Sequence, residues 1–114
     1  MVNPYDKAHE LGRALKESKE YTEYIKIREE LYSNNETKEI IKDFKKKQYE
    51  VQKMALTGEN VPPEKMEKIQ ELYKILLDNP KVKEFFDIEV RFNILLSDIN
   101  RIIAESVKDA IVEE

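Results

Sequence analysis

The sequence predicts an all-α protein, an antiparallel bundle of about five helices built around a long C-terminal helix. Three observations carry that prediction. Apolar residues recur at helical spacing through most of the chain, and two Gly, four Pro and no Trp leave little turn material for a many-stranded fold. The third is the last stretch, NPKVKEFFDIEVRFNILLSDINRIIAESVKDAI, which after Pro80 contains no Gly or Pro to stop a helix.

Taken in order, Asn3-Pro4 opens the first helix, over residues 4–17, because Asn caps a helix and Pro at its first position gives up an N–H that would be unpaired anyway. Tyr5, Ala8, Leu11 and Leu15 fall on one face of it, and Gly12 on or near that face allows close approach of a neighbour. Ser18 caps a second helix, 19–33, on which Tyr21, Tyr24, Ile25, Arg28, Leu31 and Tyr32 cluster. Asn34 or Asn35 caps a third, 36–57, with acids in its first turn and lysines later, as the helix dipole favours. Its apolar side is Ile40, Ile41, Phe44, Gln48, Val51, Met54 and Ala55, and Gly58 ends it. Pro62-Pro63 breaks the chain within GENVPPE before a fourth helix, 63–77, with Met66, Ile69, Leu72, Tyr73, Leu76 and Leu77 inward. Short connections make helices three and four an antiparallel hairpin. Asn79-Pro80 then opens the fifth helix, 80–111, spanning roughly 45–50 Å.

With 114 residues the chain is read as a single helical domain. Charged residues make up 39% of it, 20 Lys+Arg against 24 Asp+Glu, and the resulting net charge of −4 opposes general affinity for nucleic acid or anionic membrane. The absence of cysteine excludes disulfides and thiolate chemistry and fits a cytoplasmic protein. The N-terminus lacks the basic start and apolar run of a signal peptide, and no apolar stretch approaches the roughly 20 residues of a membrane span.

Catalysis finds no support. The one histidine, His9, lies a turn from Asp6 and Arg13, a trio that reads as a surface ion-pair cluster rather than a site. Helical di-metal centres use paired Glu-x-x-His segments, which this chain lacks, and it has no phosphate-binding glycine loop. No catalytic, cofactor-binding or metal residues are therefore assigned. A carboxylate-metal or ligand-binding protein using Asp6, His9 and Glu89 stands as one alternative. A weak RNA-binding module through Lys45, Lys46 and Lys47 stands as another, although acidic neighbours make that run a solvated face and no direct nucleic-acid partner is expected.

The informative residues lie on the long helix. Phe85, Ile88, Phe92, Leu95, Ile99 and Ile102 form a stripe that Leu96, Ile103 and Ala110 widen, while Phe86, Val90 and Ile94 lie off that line. A fifteen-residue helix four cannot cover this length, so the part from Ile99 to Ile111 is expected to pack against a second copy. Glu89, on the stripe, and Arg91, Asn93, Asp98 and Asn100 at its flanks either fix helix register or line a partner surface. The candidate interface is Glu89, Arg91, Phe92, Asn93, Leu96, Ile99, Asn100 and Ile103.

The run Glu89-Val90-Arg91, then Leu95-Leu96, Ile99-Asn100 and Ile102-Ile103, resembles the end of the YheA branch of the YlbF/YmcA-like family of small helical bacterial proteins. Tyr5-Asp6, Leu11, Ala14-Leu15 and Ser18 resemble its start, and Phe44 and Gln48 ahead of Gly58-Glu59 resemble its middle. The similarity spans essentially the whole chain. It implies an all-helical, dimeric, cytoplasmic bundle from Gram-positive-type bacteria, acting as a non-enzymatic adaptor or regulator. Better-studied branches assemble with a protein partner and influence RNA processing by a membrane-linked ribonuclease, and through it competence, sporulation and biofilm formation. Those relatives carry cysteines implicated in holding an iron–sulfur cluster; this chain has none and supplies no such ligands.

Overall fold

The structure, a computed structural model, describes residues 2–111, with the side chain of Ile111 outside the described set. Among the described residues six helices follow one another: α1 (Pro4–Glu17), α2 (Lys19–Tyr32), α3 (Asn35–Leu56), α4 (Pro63–Leu77), α5 (Pro80–Ser106) and α6 (Lys108–Ile111). No strand occurs among the described residues.

The caps are those the sequence names. Asn3 Oδ1 accepts from Tyr5 N at 2.8 Å, and Asn79 Oδ1 accepts from Lys81 N at 3.0 Å, each with Pro next in sequence. Asn34 rather than Asn35 caps α3, its Oδ1 accepting from Thr37 N at 3.0 Å. Ser18 divides α1 from α2 with one hydroxyl. Its Oγ donates to Leu15 O at 2.6 Å and accepts from Tyr21 N at 3.2 Å, so a break needs neither Gly nor Pro. At the end of α3, Gly58 takes a φ of 79°, which L side chains resist. Glu59 N then reaches Met54 O at 2.9 Å and Gly58 N reaches Ala55 O at 3.3 Å, the paired bonds of a Schellman stop.

Expected as one helix to Ile111, the C-terminal segment is interrupted at Val107. Ser106 Oγ donates to Ile102 O at 2.8 Å and Val107 N bonds Ala104 O at 3.3 Å, tightening the last turn of α5.

Contacts divide the chain into two compact units, one made of residues up to Lys26 with those from Phe86 onward, the other of Ile27–Phe85. In the Ile27–Phe85 unit, α3 and α4 form the expected antiparallel hairpin: the Phe44 ring stacks on Tyr73 with centroids 5.7 Å apart, and nearer the turn Lys65 Nζ lies 3.9 Å from Glu50 Oε2. Ile27, Leu31, Ile41, Phe44, Leu76, Val82 and Phe85 are buried there, supplied by the end of α2, the start of α3, the end of α4 and the start of α5. No residue from Lys45 to Ile75 is buried, so this core sits at the base of the hairpin.

Several inward assignments change. Ile27, which the clustered tyrosines of α2 obscured, is core, while Tyr21, Tyr24 and Ile25 are only half-buried. Gln48 and Ala55 on α3 and Met66, Tyr73 and Leu77 on α4 are exposed, because a two-helix hairpin has no third layer to cover a broad apolar face.

In the other unit Ile88 is the buried residue among those described, and the Phe92 ring meets Tyr21 at 5.7 Å and Tyr24 at 6.1 Å between centroids. Helix α1 has no buried residue: Leu11 and Leu15 are half-buried, but Tyr5 and Ala8 are exposed. A Cβ placed on Gly12 meets nothing within 4 Å, so the expected close approach at that glycine is absent.

Candidate interaction surface on the long helix

Helix α5 begins as a core helix and ends as a surface one. Val82, Phe85 and Ile88 are buried, Phe92, Leu95, Leu96 and Ile99 are half-buried, and Ile102 and Ile103 stand 58% and 51% exposed. The apolar spacing persists while the cover falls away. Leaving such side chains in water forgoes about 1.5–3 kcal/mol each relative to full burial, so a partner gains by covering them. Val107 and Ala110 extend the exposed run, whereas the side chain of Ile111 lies outside the described residues. Val90 and Ile94 are also exposed and lie on the opposite side of the helix.

The candidate residues sort by position along this gradient. Phe92 is fixed by Tyr21 and Tyr24, and Leu96 and Ile99 are half-covered, so these three combine internal packing with an open flank. Ile103 is presented to solvent. Glu89 is half-buried and engaged with its surroundings. Arg91, Asn93 and Asn100 are exposed rather than embedded, since the flanks of α5 carry no cover at those positions. Arg91 lines a shallow cleft with Lys19, Glu20, Glu23 and Ile88, and Asp98 takes Arg101 as an ion-pair partner at 3.5 Å. Ile102, Val90 and Ile94 were outside the candidate set; the same helical spacing that picked out Ile103 identifies Ile102, one position away.

This surface is suited to docking a helix, with an apolar centre and amides and paired charges at its edge. Among the described residues no group of three His, Cys, Asp or Glu could hold a metal ion. Asp6, His9 and Arg13 are all exposed on α1, where the neighbouring ion pair is Lys7 with Glu10 at 3.2 Å. The lysine run of α3 is dispersed: Lys45 Nζ lies 5.4 Å from the Phe85 ring centre and Lys47 Nζ 2.6 Å from Asp43 Oδ1, leaving Lys46 facing solvent. No described helix is long and apolar enough to cross a membrane.

Residues 5–108 match the family described as "Control of competence regulator ComK, YlbF/YmcA". The chain belongs to the YlbF/YmcA-like family. Among similar proteins, one named UPF0342 protein from Caldicellulosiruptor bescii is 38% identical over 108 residues, covering 95% of this chain and 91% of the relative. Another of that name from Halothermothrix orenii is 34% identical over 109 residues, covering 96% and 92%. Two solved structures share the fold. A protein of unknown function (DUF964) from Bacillus stearothermophilus superposes with a TM-score of 0.76 at 14% identity, over 92% of each chain. YheA from Bacillus subtilis gives 0.67 at 22% identity, over 95% of this chain and 98% of that one. The YlbF/YmcA-like membership accords with the order of helix-five residues that suggested it.

Proposed function

We propose that this YlbF/YmcA-like protein is a non-enzymatic interaction protein of the cytoplasm, a homodimer that acts as an adaptor or regulator. The observation that supports this reading is the loss of cover along α5: after Ile88 no described residue of the helix is buried, yet its apolar spacing continues to Ile103. A second copy offering the same stripe is the self-complementary occupant, since a two-fold axis pairs like with like. The family description, which concerns control of a competence regulator, supports a regulatory role. So does a surface whose centre is aliphatic and whose edge carries amides rather than a nucleophile with its base.

The test is sedimentation velocity on the wild type and on Ile102→Glu/Ile103→Glu. A wild-type dimer at micromolar concentration that becomes monomeric in the double variant, with helicity retained, supports the reading; a wild-type monomer overturns its dimeric part. Affinity co-purification from native extract, with and without ribonuclease, tests the adaptor part. A stoichiometric protein partner that survives ribonuclease is the expected result, and recovery of the protein alone removes it.

A further inference from the structure

Three large apolar residues of α4 stay open to solvent on one line. Met66, Tyr73 and Leu77 are 41%, 43% and 36% exposed. At about 100° per residue they fall within an arc of about 40°, with exposed Gln70 beside them. Taken together, Met66, Gln70, Tyr73 and Leu77 alternate steps of four and three residues, the spacing of a helix-pairing seam. Half-buried Ile69 and buried Leu76 border the seam on one side.

The other edge is charged. Glu67 and Lys74, seven residues apart, hold the same position relative to the seam, about 80–100° round the helix from Met66. Both are exposed, and neither has an ion-pair partner among the described residues. Along α4 nothing basic stands three or four residues from Glu67, where Pro63, Glu64, Gln70 and Glu71 occur. Lys74 has Glu71 and Asp78 at that spacing, further round the helix, and pairs with neither.

We propose that α4 docks antiparallel against α4 of a second copy of this chain. Charge complementarity selects that occupant. Set against itself in reverse, the helix places Met66 opposite Leu77, and Gln70 opposite Tyr73, of the second copy. The same register brings Glu67 beside Lys74 of the second copy, and the two-fold axis repeats the pair. A parallel arrangement would turn that edge toward the line of Ile69 and Leu76 and leave both charges unmatched. A uniformly basic helix would meet Glu67 but repel Lys74, and a uniformly acidic one the reverse. Beyond the edge lie the acids Glu64, Glu71 and Asp78, which oppose nucleic acid and anionic lipid.

The seam from Met66 to Leu77 is only about 16 Å long. So short a contact buries less than the roughly 1,200–2,000 Å² of a stable interface, which places its association at submillimolar rather than micromolar concentration. The inference adds a second self-contact to the α5 reading and uses none of its residues, so either can fail while the other stands.

The experiment is sedimentation equilibrium from micromolar to submillimolar concentration on the full chain carrying Ile102→Glu/Ile103→Glu, which removes the α5 stripe. Onto it are placed Glu67→Lys, Lys74→Glu, or both, with circular dichroism confirming that each chain is folded. The expected result is a doubling of the micromolar mass across that range. Either single reversal should weaken the doubling roughly tenfold, because like charges then face each other twice. An equal mixture of the two single variants should restore it, as should the double reversal, because opposite charges meet again in both. The same four chains with Ile102 and Ile103 intact should keep that order of strengths. Absence of further association up to submillimolar concentration overturns the proposal. So does association indifferent to the single reversals, or a loss that neither the mixture nor the double reversal restores.

Discussion

Lys81 Nζ lies 2.7 Å from Glu30 Oε2, joining the last turn of α2 to the first turn of α5 across the base of the Ile27–Phe85 unit. The hydrogen bond to Glu30, reinforced by that carboxylate's charge and by Glu84, raises the Lys81 pKa above its ordinary value. A raised lysine pKa stabilises the fold fully below the unfolded-state value and loses that contribution as pH climbs through the folded-state value. Melting temperature should therefore fall more steeply above about pH 10 in the wild type than in Glu30→Gln. Since tyrosines titrate over the same range, the difference between the two proteins is the readout. Identical profiles would show that the exposed pair contributes nothing measurable.

Phe85 and Ile41 are fully buried at the meeting of α5 and α3 with their neighbours. Phe85→Ala should cost about 3–5 kcal/mol in urea denaturation and Ile41→Ala about 2–5 kcal/mol. Ile75→Ala, at an exposed position of α4, should be close to neutral.

Asn34 and Asn35 are interchangeable by residue type, but only Asn34 caps α3. Asn34→Ala should lower stability by about 1 kcal/mol, with Asn35→Ala costing markedly less. Equal losses would contradict the cap geometry.

At Gly12 an added methyl group enters open space in the middle of α1. Gly12→Ala should stabilise the protein by about 1 kcal/mol through helix propensity. A destabilised Gly12→Ala protein whose deficit grows with concentration would place a second copy against that face.

If α5 dimerises the chain, the wild-type melting temperature should rise with protein concentration, because association binds the folded state alone. In Ile102→Glu/Ile103→Glu the dependence should vanish. Differential scanning calorimetry over a hundredfold range of concentration distinguishes the two.

The sequence by itself determined the helices and most of their ends. Prolines at 4, 63 and 80, Asn3, Asn34 and Asn79 as caps, and Gly58 as a stop act through local backbone chemistry that neighbours in sequence complete. It also marked α5 as carrying more apolar surface than its own hairpin could bury. Even the Ser18 break was legible, while the one at Val107 was not: a hydroxyl that bonds back into its own helix is sometimes a cap and sometimes a kink, depending on the backbone around it. What only the tertiary structure decided was which apolar positions are covered. Ile27 is core while Tyr5 and Met66 face water, although it is the latter two that the helical spacing singles out. Periodicity specifies that a face is apolar, but burial depends on whether another element reaches it. The same reason separates Lys47 from Lys46: adjacent in sequence, Lys47 is half-buried and bonds Asp43 at 2.6 Å, whereas Lys46 is exposed.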